Sequence, residues 1–283
     1  MELLAPNCTK TLLRDLVQER TGLLYDNEKS HLLFDKLTPL VIERGFQSFL
    51  DYYYLLKYDE NADQEWQRVI DAISVQETFF WREMDQIRAL VDILVPQWAE
   101  QHKGETLRIW SAACATGEEP LTIAMALAEA GWLNKIPIEI RATDGSGAAL
   151  TKAQCGLFRA RAFRNLPLTM RNKYFEKEGD GWRIDPELQS KVNWGLANLV
   201  YRSQISTFAT APFIFCRNVF IYFSNDMIRR VVRTFADYTQ RPAYLFVGVS
   251  ESLLKISNDF ELLNIGNAFV YKRSTTKPSQ LTI

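Results

Sequence analysis

The sequence predicts an α/β fold, namely a doubly wound parallel sheet with an all-helical N-terminal domain and a small inserted antiparallel β-subdomain. Three observations support this prediction. Apolar residues recur at helical spacing from residue 9 to about residue 100. From Leu107 onward, short apolar runs alternate with helical patterns, as in parallel βα units. The segment KYFEKEGDGWRIDPELQSKVNW breaks that alternation with a Gly-Asp-Gly turn between two strand-like runs.

Composition and charge exclude several classes of protein. The chain has 283 residues, 47% of them hydrophobic, which is enough to bury the core of one large domain or two modest ones. The 33 basic residues balance 34 acidic ones, so no broad attraction to nucleic acid is expected. With only His31 and His102, and four cysteines that form no CxxC pair, neither a metal site nor a Ser-His-Asp triad is expected.

The helical part is expected to form one domain over residues 1–85, and the α/β part a second over residues 86–283. Gly22 and Gly45 stand where helices are expected to end. A linking helix follows, with an apolar stripe at Ile87, Leu90, Val91 and Leu94. It is expected to end before Pro96, because the residue before a proline disfavours helical backbone.

Five apolar runs are predicted to be strands of the central sheet: 107–110, 136–142, 213–216, 243–249 and 268–272. Helical runs at 121–130 and 227–238 separate some of them. The interrupting segment, 173–194, is interpreted as an inserted hairpin, which gives a β-subdomain at about 170–196.

The stretch IWSAACATGEEPLTIAM, residues 109–125, contains a sharp turn between the first strand and a helix. Its small side chains allow a ligand to lie against the backbone. Thr116 followed by Glu119 has the form of a capping box, so helix capping alone is one interpretation. Ligand binding is the other. Asp144 ends the next predicted strand, where an acidic residue contacts ribose in βαβ nucleotide sites, although an aspartate there is also a common helix cap.

The chemistry of the turn favours a ligand that has ribose but no phosphate. A full G-x-G-x-x-G motif, which serves the close approach of a pyrophosphate, is missing. Glu118 and Glu119 at the mouth of the turn would repel phosphates. S-adenosylmethionine is the common ligand of this kind. An NAD-dependent oxidoreductase fits the fold alone, which is a poor guide to function.

Six stretches together resemble one family. They are VQETFFWRE, WSAACATGEEPLTIAM, RATDGSGAAL, ANLV, IFCRNVFIYF and LFVGVSES. In this order, from about residue 10 to 273, they are similar to the chemotaxis receptor (protein-glutamate) O-methyltransferases, the CheR family. The resemblance implies the doubly wound S-adenosylmethionine-dependent methyltransferase fold, with a helical N-terminal domain and a small inserted β-subdomain. It also implies that receptor glutamates are esterified, leaving S-adenosylhomocysteine as the product.

Carried over by motif position, the resemblance implies a set of cofactor contacts. They are Gln76, Thr78, Arg82, Glu119, Asp144, Asn198, Leu199, Arg217 and Asn218. Glu119 and Asp144 suit ribose hydroxyls or a ligand amine. Asn198, with the backbone of Leu199, suits the adenine edge. Thr78 and Arg82 suit the methionine carboxylate, although a surface ion pair is the simpler explanation for Arg82 alone.

The implied reaction requires no general base. A carboxylate oxygen attacks a carbon on a cationic sulfur without any proton transfer, so alignment and exclusion of water supply most of the acceleration. Tyr222 is the predicted catalytic residue that faces the methyl group, and Arg82 is predicted to place the incoming carboxylate. A buried aromatic side chain without a chemical role is the alternative for Tyr222.

The chain departs from the family pattern in several places. Gln76 replaces the usual Asn, the run GSG follows Asp144, and GVSES replaces GHSES. The family's arginine-rich docking helix corresponds here to a stretch that contains Pro39 and has few cations. Those cations are Lys29, Lys36 and Arg44. A different docking surface is therefore expected, and the short loop EGDGW does not favour tethering to a receptor peptide.

The leading interpretation is a methyltransferase that acts on glutamates of a methyl-accepting chemotaxis receptor or a related coiled-coil signalling protein. The alternative is a non-catalytic cofactor-binding scaffold of a chemosensory complex. Neither nucleic acid nor membrane insertion is expected, and a monomer is predicted because no heptad seam is present. The N-terminus lacks a signal-peptide pattern, so a cytoplasmic location is expected.

Overall fold

The computed structural model describes residues 6–26 and 28–273. Its first part is a bundle of four helices: α1 (Asn7–Thr21), α2 (Ser30–Glu43), α3 (Phe49–Tyr58) and α4 (Ala62–Ile73). Their apolar faces enclose a core of their own, which includes Leu13, Leu37 and Val69. The predicted helix ends are confirmed, since left-handed Gly22 directly follows α1 and Gly45 lies just after α2.

A buried carboxylate crosslinks the bundle. The side chain of Glu65, on α4, is 1% exposed and accepts hydrogen bonds from Tyr52 Oη at 2.7 Å and Arg44 Nε at 2.8 Å. Arg68 Nη1 lies 3.2 Å from the same carboxylate. Burial acts to raise the pKa of Glu65, but the hydrogen bonds from Arg44 and Tyr52 and the charge of Arg68 outweigh it and lower the pKa.

The linking helix is longer than expected. It consists of α5 (Met84–Arg88), a π-helical turn (Ala89–Leu94) and α6 (Val95–Gln101), so the prediction that it ends before Pro96 is wrong. The π turn shifts the hydrogen-bond register, with Val95 N–H donating to Leu90 O. Pro96 therefore lies in the first turn of α6, and the carbonyl of Val91 in the preceding turn accepts from Trp132 Nε1 at 3.1 Å.

The remaining described residues form ten strands and six further helices. The strands are β1 (Leu107–Ala112), β2 (Ile138–Asp144), β3 (Leu157–Arg159), β4 (Phe175–Glu178), β5 (Gly181–Ile184), β6 (Val192–Leu196), β7 (Phe213–Phe215), β8 (Tyr244–Phe246), β9 (Phe260–Ile265) and β10 (Ala268–Arg273). The helices are α7 (Glu118–Glu129), α8 (Gly147–Cys155), α9 (Leu168–Tyr174), α10 (Pro186–Gln189), α11 (Arg202–Ile205) and α12 (Asn225–Tyr238).

Seven strands form the central sheet in the order β6-β2-β1-β7-β8-β10-β9. The first five are parallel, and β10 and β9 are antiparallel to their neighbours. This confirms the doubly wound α/β prediction. β9 was not predicted, because this edge strand is largely exposed and has no continuous apolar run. No helix among the described residues has the length and apolarity that crossing a bilayer requires.

The small antiparallel sheet has the order β3-β5-β4. The predicted hairpin is present as β4 and β5, which turn at Gly179. The predicted extent of the subdomain, about 170–196, is wrong at both ends, because β3 pairs with β5 from outside it and β6 pairs in parallel with β2 in the central sheet. The short helix α10 returns the chain to that sheet. The predicted limit between domains at residue 85 stays a prediction.

Replacing Glu65 by alanine is expected to destabilise the bundle by about 2–3 kcal/mol, because the buried Tyr52 hydroxyl loses its acceptor and two arginines lose their partner. Urea unfolding, followed by circular dichroism, measures this change. Glu43→Gln is the matched control, since Glu43 is an exposed partner of Arg68 and its loss is expected to cost at most about 1 kcal/mol. Equal effects of the two substitutions would contradict the prediction.

Candidate functional site

A pocket opens at the carboxyl ends of β1, β2, β6 and β7. The chain adds β2 and β6 on one side of β1 and then β7 on the other, so the sheet order reverses between β1 and β7. Doubly wound sheets bind ligands at such a switch point. The facing wall comes from the end of α1, the end of α4 and residues 74–82. Both the bundle and the sheet therefore line the pocket.

The turn after β1 forms the floor of the pocket. Ala113 and Ala115 have left-handed backbones, with φ of 60° and 48°, a strained conformation that clusters at functional sites. Cys114 N–H donates to Thr143 O at 2.9 Å and holds the turn against β2. A Cβ at Gly117 would lie 2.8 Å from Trp194, and its φ is 96°. The turn thus requires glycine at one position and small side chains at the others.

The capping-box interpretation of Thr116 and Glu119 is wrong. The cap position of α7 is Gly117, which has no side chain, and Thr116 Oγ1 donates to the carboxylate of Glu118 at 2.7 Å. Glu119 instead accepts from Ser111 Oγ at 2.6 Å with one oxygen and from an arginine with the other. Its carboxylate is therefore part of a polar network in the pocket floor.

That arginine is Arg217, whose side chain is only 2% exposed. Its Nε donates to Glu119 at 2.6 Å, and Nη2 donates to Arg82 O at 3.0 Å. Nη1 donates to Gln86 Oε1 at 3.2 Å and to Glu83 O at 3.3 Å. The guanidinium thus joins the end of β7, the start of α7 and the entry of α5. Its charge is paired, four of its five N–H groups have partners, and one hydrogen on Nη2 is left for a ligand.

The loop after β7 is held by the carboxylate of Glu251, which the sequence analysis did not assign to the site. Asn218 has a φ of 60°, and its N–H donates to Glu251 Oε2 at 2.8 Å. Glu251 also accepts from Gly248 N–H at 2.6 Å and from Ile221 N–H at 3.2 Å. A Cβ at Gly248 would lie 2.5 Å from Asn218 Nδ2. The signal for Glu251 was the Glu retained in the GVSES motif.

Asp144 lies at the end of β2, and its carboxylate joins the turn after β1 to the loop after β2. Oδ2 accepts from Ala115 N–H and Oδ1 accepts from Ser146 N–H, both at 2.8 Å. Burial raises the pKa of Asp144 above its ordinary value although these hydrogen bonds act to lower it. Each oxygen keeps a lone pair for a further donor, so the carboxylate can bind a hydroxyl or an amine.

Residues of the helical bundle also hold this loop, and no motif had identified them. Asp71 Oδ1, on α4, accepts from Ser146 Oγ at 2.7 Å and from Ala148 N–H at 3.1 Å. Gln67 Nε2 donates to Gly145 O at 3.0 Å. The bundle therefore fixes the loop after β2, including its GSG run, from outside.

Asn198 and Leu199 follow β6 and line the pocket. The Asn198 side chain donates to Arg20 O at 2.8 Å and accepts from Val200 N–H at 3.1 Å. The first of these bonds joins the loop to the end of α1. Asn198 therefore connects the bundle to the sheet, and one amide hydrogen and one lone pair remain for a ligand.

Tyr222 lines the pocket at the point where the bundle meets the loop after β7. Leu24 N–H donates to Tyr222 O at 2.8 Å, and Leu23 forms a β-bridge with Phe223. A Cβ at Gly22 would lie 2.9 Å from the Phe223 ring. Burial raises the pKa of Tyr222 further above its ordinary value, and the hydroxyl, protonated at neutral pH in either case, is available to a ligand as a hydrogen-bond donor.

The last predicted residues lie in the segment that forms the facing wall. Thr78 and Arg82 line the pocket, and Arg82 Nη1 donates to Glu77 O at 3.0 Å. Gln76 lies outside the lining, and its Oε1 accepts from Lys152 Nζ at 2.9 Å. Nine predicted site residues thus line one pocket. They are Thr78, Arg82, Glu119, Asp144, Asn198, Leu199, Arg217, Asn218 and Tyr222.

The donor set suits a ligand with hydroxyls, a positive charge and a carboxylate. Glu119 and Asp144 make the floor acidic, while Arg82 provides a cation in the facing wall. Phosphates would be repelled by this floor, whereas S-adenosylmethionine has ribose hydroxyls, an ammonium, a sulfonium and a carboxylate. The residues present therefore fit that cofactor. Within residues 6–26 and 28–273, no group of three acidic, His or Cys side chains is arranged to hold a metal ion.

Two family models match the chain. Residues 76–269 match the model described as "CheR methyltransferase, SAM binding domain". Residues 11–74 match the model described as "CheR methyltransferase, all-alpha domain". Together the two matches cover most of the chain.

Curated relatives and solved structures were also compared. Chemotaxis protein methyltransferase 2 of Vibrio cholerae is 34% identical over 252 residues, which cover 88% of this chain and 87% of the relative. Chemotaxis protein methyltransferase 1 of Pseudomonas aeruginosa is 28% identical, covering 95% of this chain and 98% of the relative. A solved structure, magnesium protoporphyrin IX methyltransferase of Synechocystis with bound SAM, aligns with a TM-score of 0.35 at 14% identity, covering 97% of this chain and all of that one.

Replacing Asp71 by alanine is expected to weaken binding of S-adenosylhomocysteine about tenfold, because the loop that positions Asp144 loses two hydrogen bonds. Calorimetric titration measures the affinity. Asp71→Asn should keep most of it, since an amide oxygen can accept both bonds. Asp63→Ala, an exposed position on the same helix, is the control. Equal affinities of the Asp71→Ala and Asp63→Ala variants for S-adenosylhomocysteine would contradict the prediction.

Proposed function

This chain belongs to the CheR methyltransferase family, and on that premise we propose that it transfers a methyl group from S-adenosylmethionine to glutamate carboxylates of a chemoreceptor. The family match makes residues 76–269 the S-adenosylmethionine-binding domain and residues 11–74 the all-alpha domain. The receptor and its glutamates are the proposed part, as is a cytoplasmic location, with which the unpaired cysteines are consistent. No observation favours the scaffold alternative.

One observation supports the proposal above the others: the floor presents the carboxylates of Asp144 and of the Arg217-paired Glu119, and the facing wall presents Arg82 beside Glu77. The carboxylates of Glu119 and Asp144 face a cationic cofactor favourably, while Arg82 attracts an incoming carboxylate. A pocket for a nicotinamide dinucleotide would need the reverse arrangement, with donors for phosphate in the floor.

The chain's residues need only to align and desolvate the reactants. When bound, S-adenosylmethionine supplies a methyl group on a cationic sulfur. Because attack by a carboxylate moves no proton, no side chain has to act as a base. Phe223 and Val219 line the pocket beside Tyr222 and restrict water there, which strengthens the attraction between the opposite charges.

We assign the remaining roles by position in the pocket. The protonated Tyr222 hydroxyl donates to the incoming carboxylate and orients it toward the methyl group. Thr78 and Arg82 hold the carboxylate of the cofactor, and Arg82 lies near enough to the mouth to contact the substrate as well. Arg217 holds Glu119 in place, and its remaining Nη2 hydrogen contacts the cofactor. Gln76 is expected to act only through its neighbours.

The direct test is transfer of radiolabelled methyl groups to a purified chemoreceptor signalling domain. A glutamate methyl ester releases methanol when treated with mild alkali, whereas N-methyl and S-methyl groups are retained. Volatile label that disappears when the receptor's glutamates are changed to alanine is the expected result. Binding of S-adenosylmethionine without transfer to any receptor tested would instead support the scaffold.

Replacing Tyr222 by phenylalanine is expected to lower kcat about 10- to 100-fold while changing the affinity for S-adenosylhomocysteine less than about threefold. The ring still fills the pocket, and only the hydroxyl donor is lost. Single-turnover methylation and calorimetric titration measure the two quantities. A parallel loss in both would indicate that the hydroxyl serves cofactor binding and does not position the carboxylate.

A further inference from the structure

Four cations contact the segment that forms the facing wall of the pocket. Lys152 Nζ donates to Gln76 at 2.9 Å, and Arg82 Nη1 donates to Glu77 O at 3.0 Å. Arg164 Nη2 donates to the Glu77 carboxylate at 2.8 Å, and Arg161 pairs with its other oxygen. These four side chains, Lys152, Arg161, Arg164 and Arg82, are here called the basic rim. They come from α8, the loop after β3 and the wall itself.

The basic rim has an excess of positive charge. Two carboxylates face these four cations: Glu77 pairs with Arg161 and Arg164, and Glu83 Oε1 lies 3.8 Å from Arg82 Nε. The side chain of Arg161 is 75% exposed and that of Arg164 is 36% exposed. The excess charge therefore faces solvent beside the mouth of the pocket.

Stacking holds the arginines of the basic rim in place. The Arg164 guanidinium lies 3.7 Å from the centre of the Phe79 ring, and the Arg82 guanidinium lies 5.4 Å from it. Cation–π contacts of this kind restrict long side chains before a partner arrives. Ordering the arginines in advance lowers the entropy cost of binding an anion.

The helix α2 offers fewer free cations than its sequence suggests. Lys36 Nζ donates to Ile73 O at 3.0 Å, and Arg44 is bound to the buried Glu65. Pro39 lies inside α2, and Lys29 precedes the helix with Asp26 at 3.8 Å. Arg44 and Lys29 thus each have a carboxylate partner on the bundle, whereas Arg161 and Arg164 share the single carboxylate of Glu77.

We infer that the basic rim docks an acidic polypeptide surface that flanks the carboxylate to be methylated. The inference rests on the proposed function. In a helical substrate, carboxylates one turn from the reacting residue lie about 5.4 Å along the axis, which brings them beside the mouth when that residue is inserted. Charges at such a rim raise the association rate and select partners of opposite sign.

Glu77 then competes with the partner for the same guanidinium groups. Its carboxylate occupies Arg161 and Arg164 when no partner is bound. Removing this charge leaves both arginines free to bind an external anion. Glu77→Gln is therefore expected to tighten binding of an acidic partner, an effect opposite to that of damage to the fold.

The test uses the full chain saturated with S-adenosylhomocysteine and a fluorescein-labelled helical peptide with glutamates along one face. Fluorescence anisotropy is expected to show about tenfold weaker binding for Arg161→Glu and for Arg164→Glu at low salt, with the difference reduced at high salt. Glu77→Gln is expected to bind about threefold more tightly. A peptide with glutamine in place of each glutamate should not distinguish the variants.

The matched control is Arg108→Glu, because Arg108 is exposed at the amino end of β1, opposite the pocket, and the charge change is the same. A loss in Arg108→Glu equal to that in the rim variants, or no loss in the rim variants, would overturn the inference. The methyl-transfer assay tests the proposed function separately. If the proposed function is wrong, the wild-type protein still binds the acidic peptide through the basic rim but methylates no receptor.

Discussion

The buried ion pair between Arg217 and Glu119 is the interaction on which the site depends. Two charges are expensive to bury, and the structure offsets this cost with four hydrogen-bond partners for Arg217 and with Ser111 for Glu119. These residues belong to the ends of β1 and β7, the start of α7 and the entry of the linking helix. The network therefore fixes the positions of the turn after β1, the loop after β7 and the facing wall relative to one another.

The sequence predicted the parts of the fold that are written in local patterns. Alternating apolar runs predicted the central sheet, and the apolar run that precedes Asp144 correctly located this residue at the end of a strand. The role of Glu119 was ambiguous from sequence because a capping box involves neighbours only. Its actual partner, Arg217, lies 98 residues away, a separation that no local pattern encodes.

The residues that sequence reasoning missed share one property: they act through backbone groups. Glu251 accepts three N–H groups and Asp71 accepts one, together with the Ser146 hydroxyl. Nearly every residue type has a backbone N–H group, so the sequence does not show which residue donates to a given carboxylate. The helix around Pro96 was mispredicted for a related reason. The π turn before Pro96 depends on backbone hydrogen-bond register, which amino-acid composition does not reveal.

The close approach of Gly22 to Phe223 bears on how such proteins diversify. A side chain at Gly22 would collide with that ring, and the adjoining Leu23 shares a bridge with the same residue. The helical bundle is therefore not an interchangeable module. A chimera that takes its bundle from one relative and its sheet from another has to transfer the glycine and the aromatic residue together, so the two halves of the chain are constrained to evolve as a matched pair.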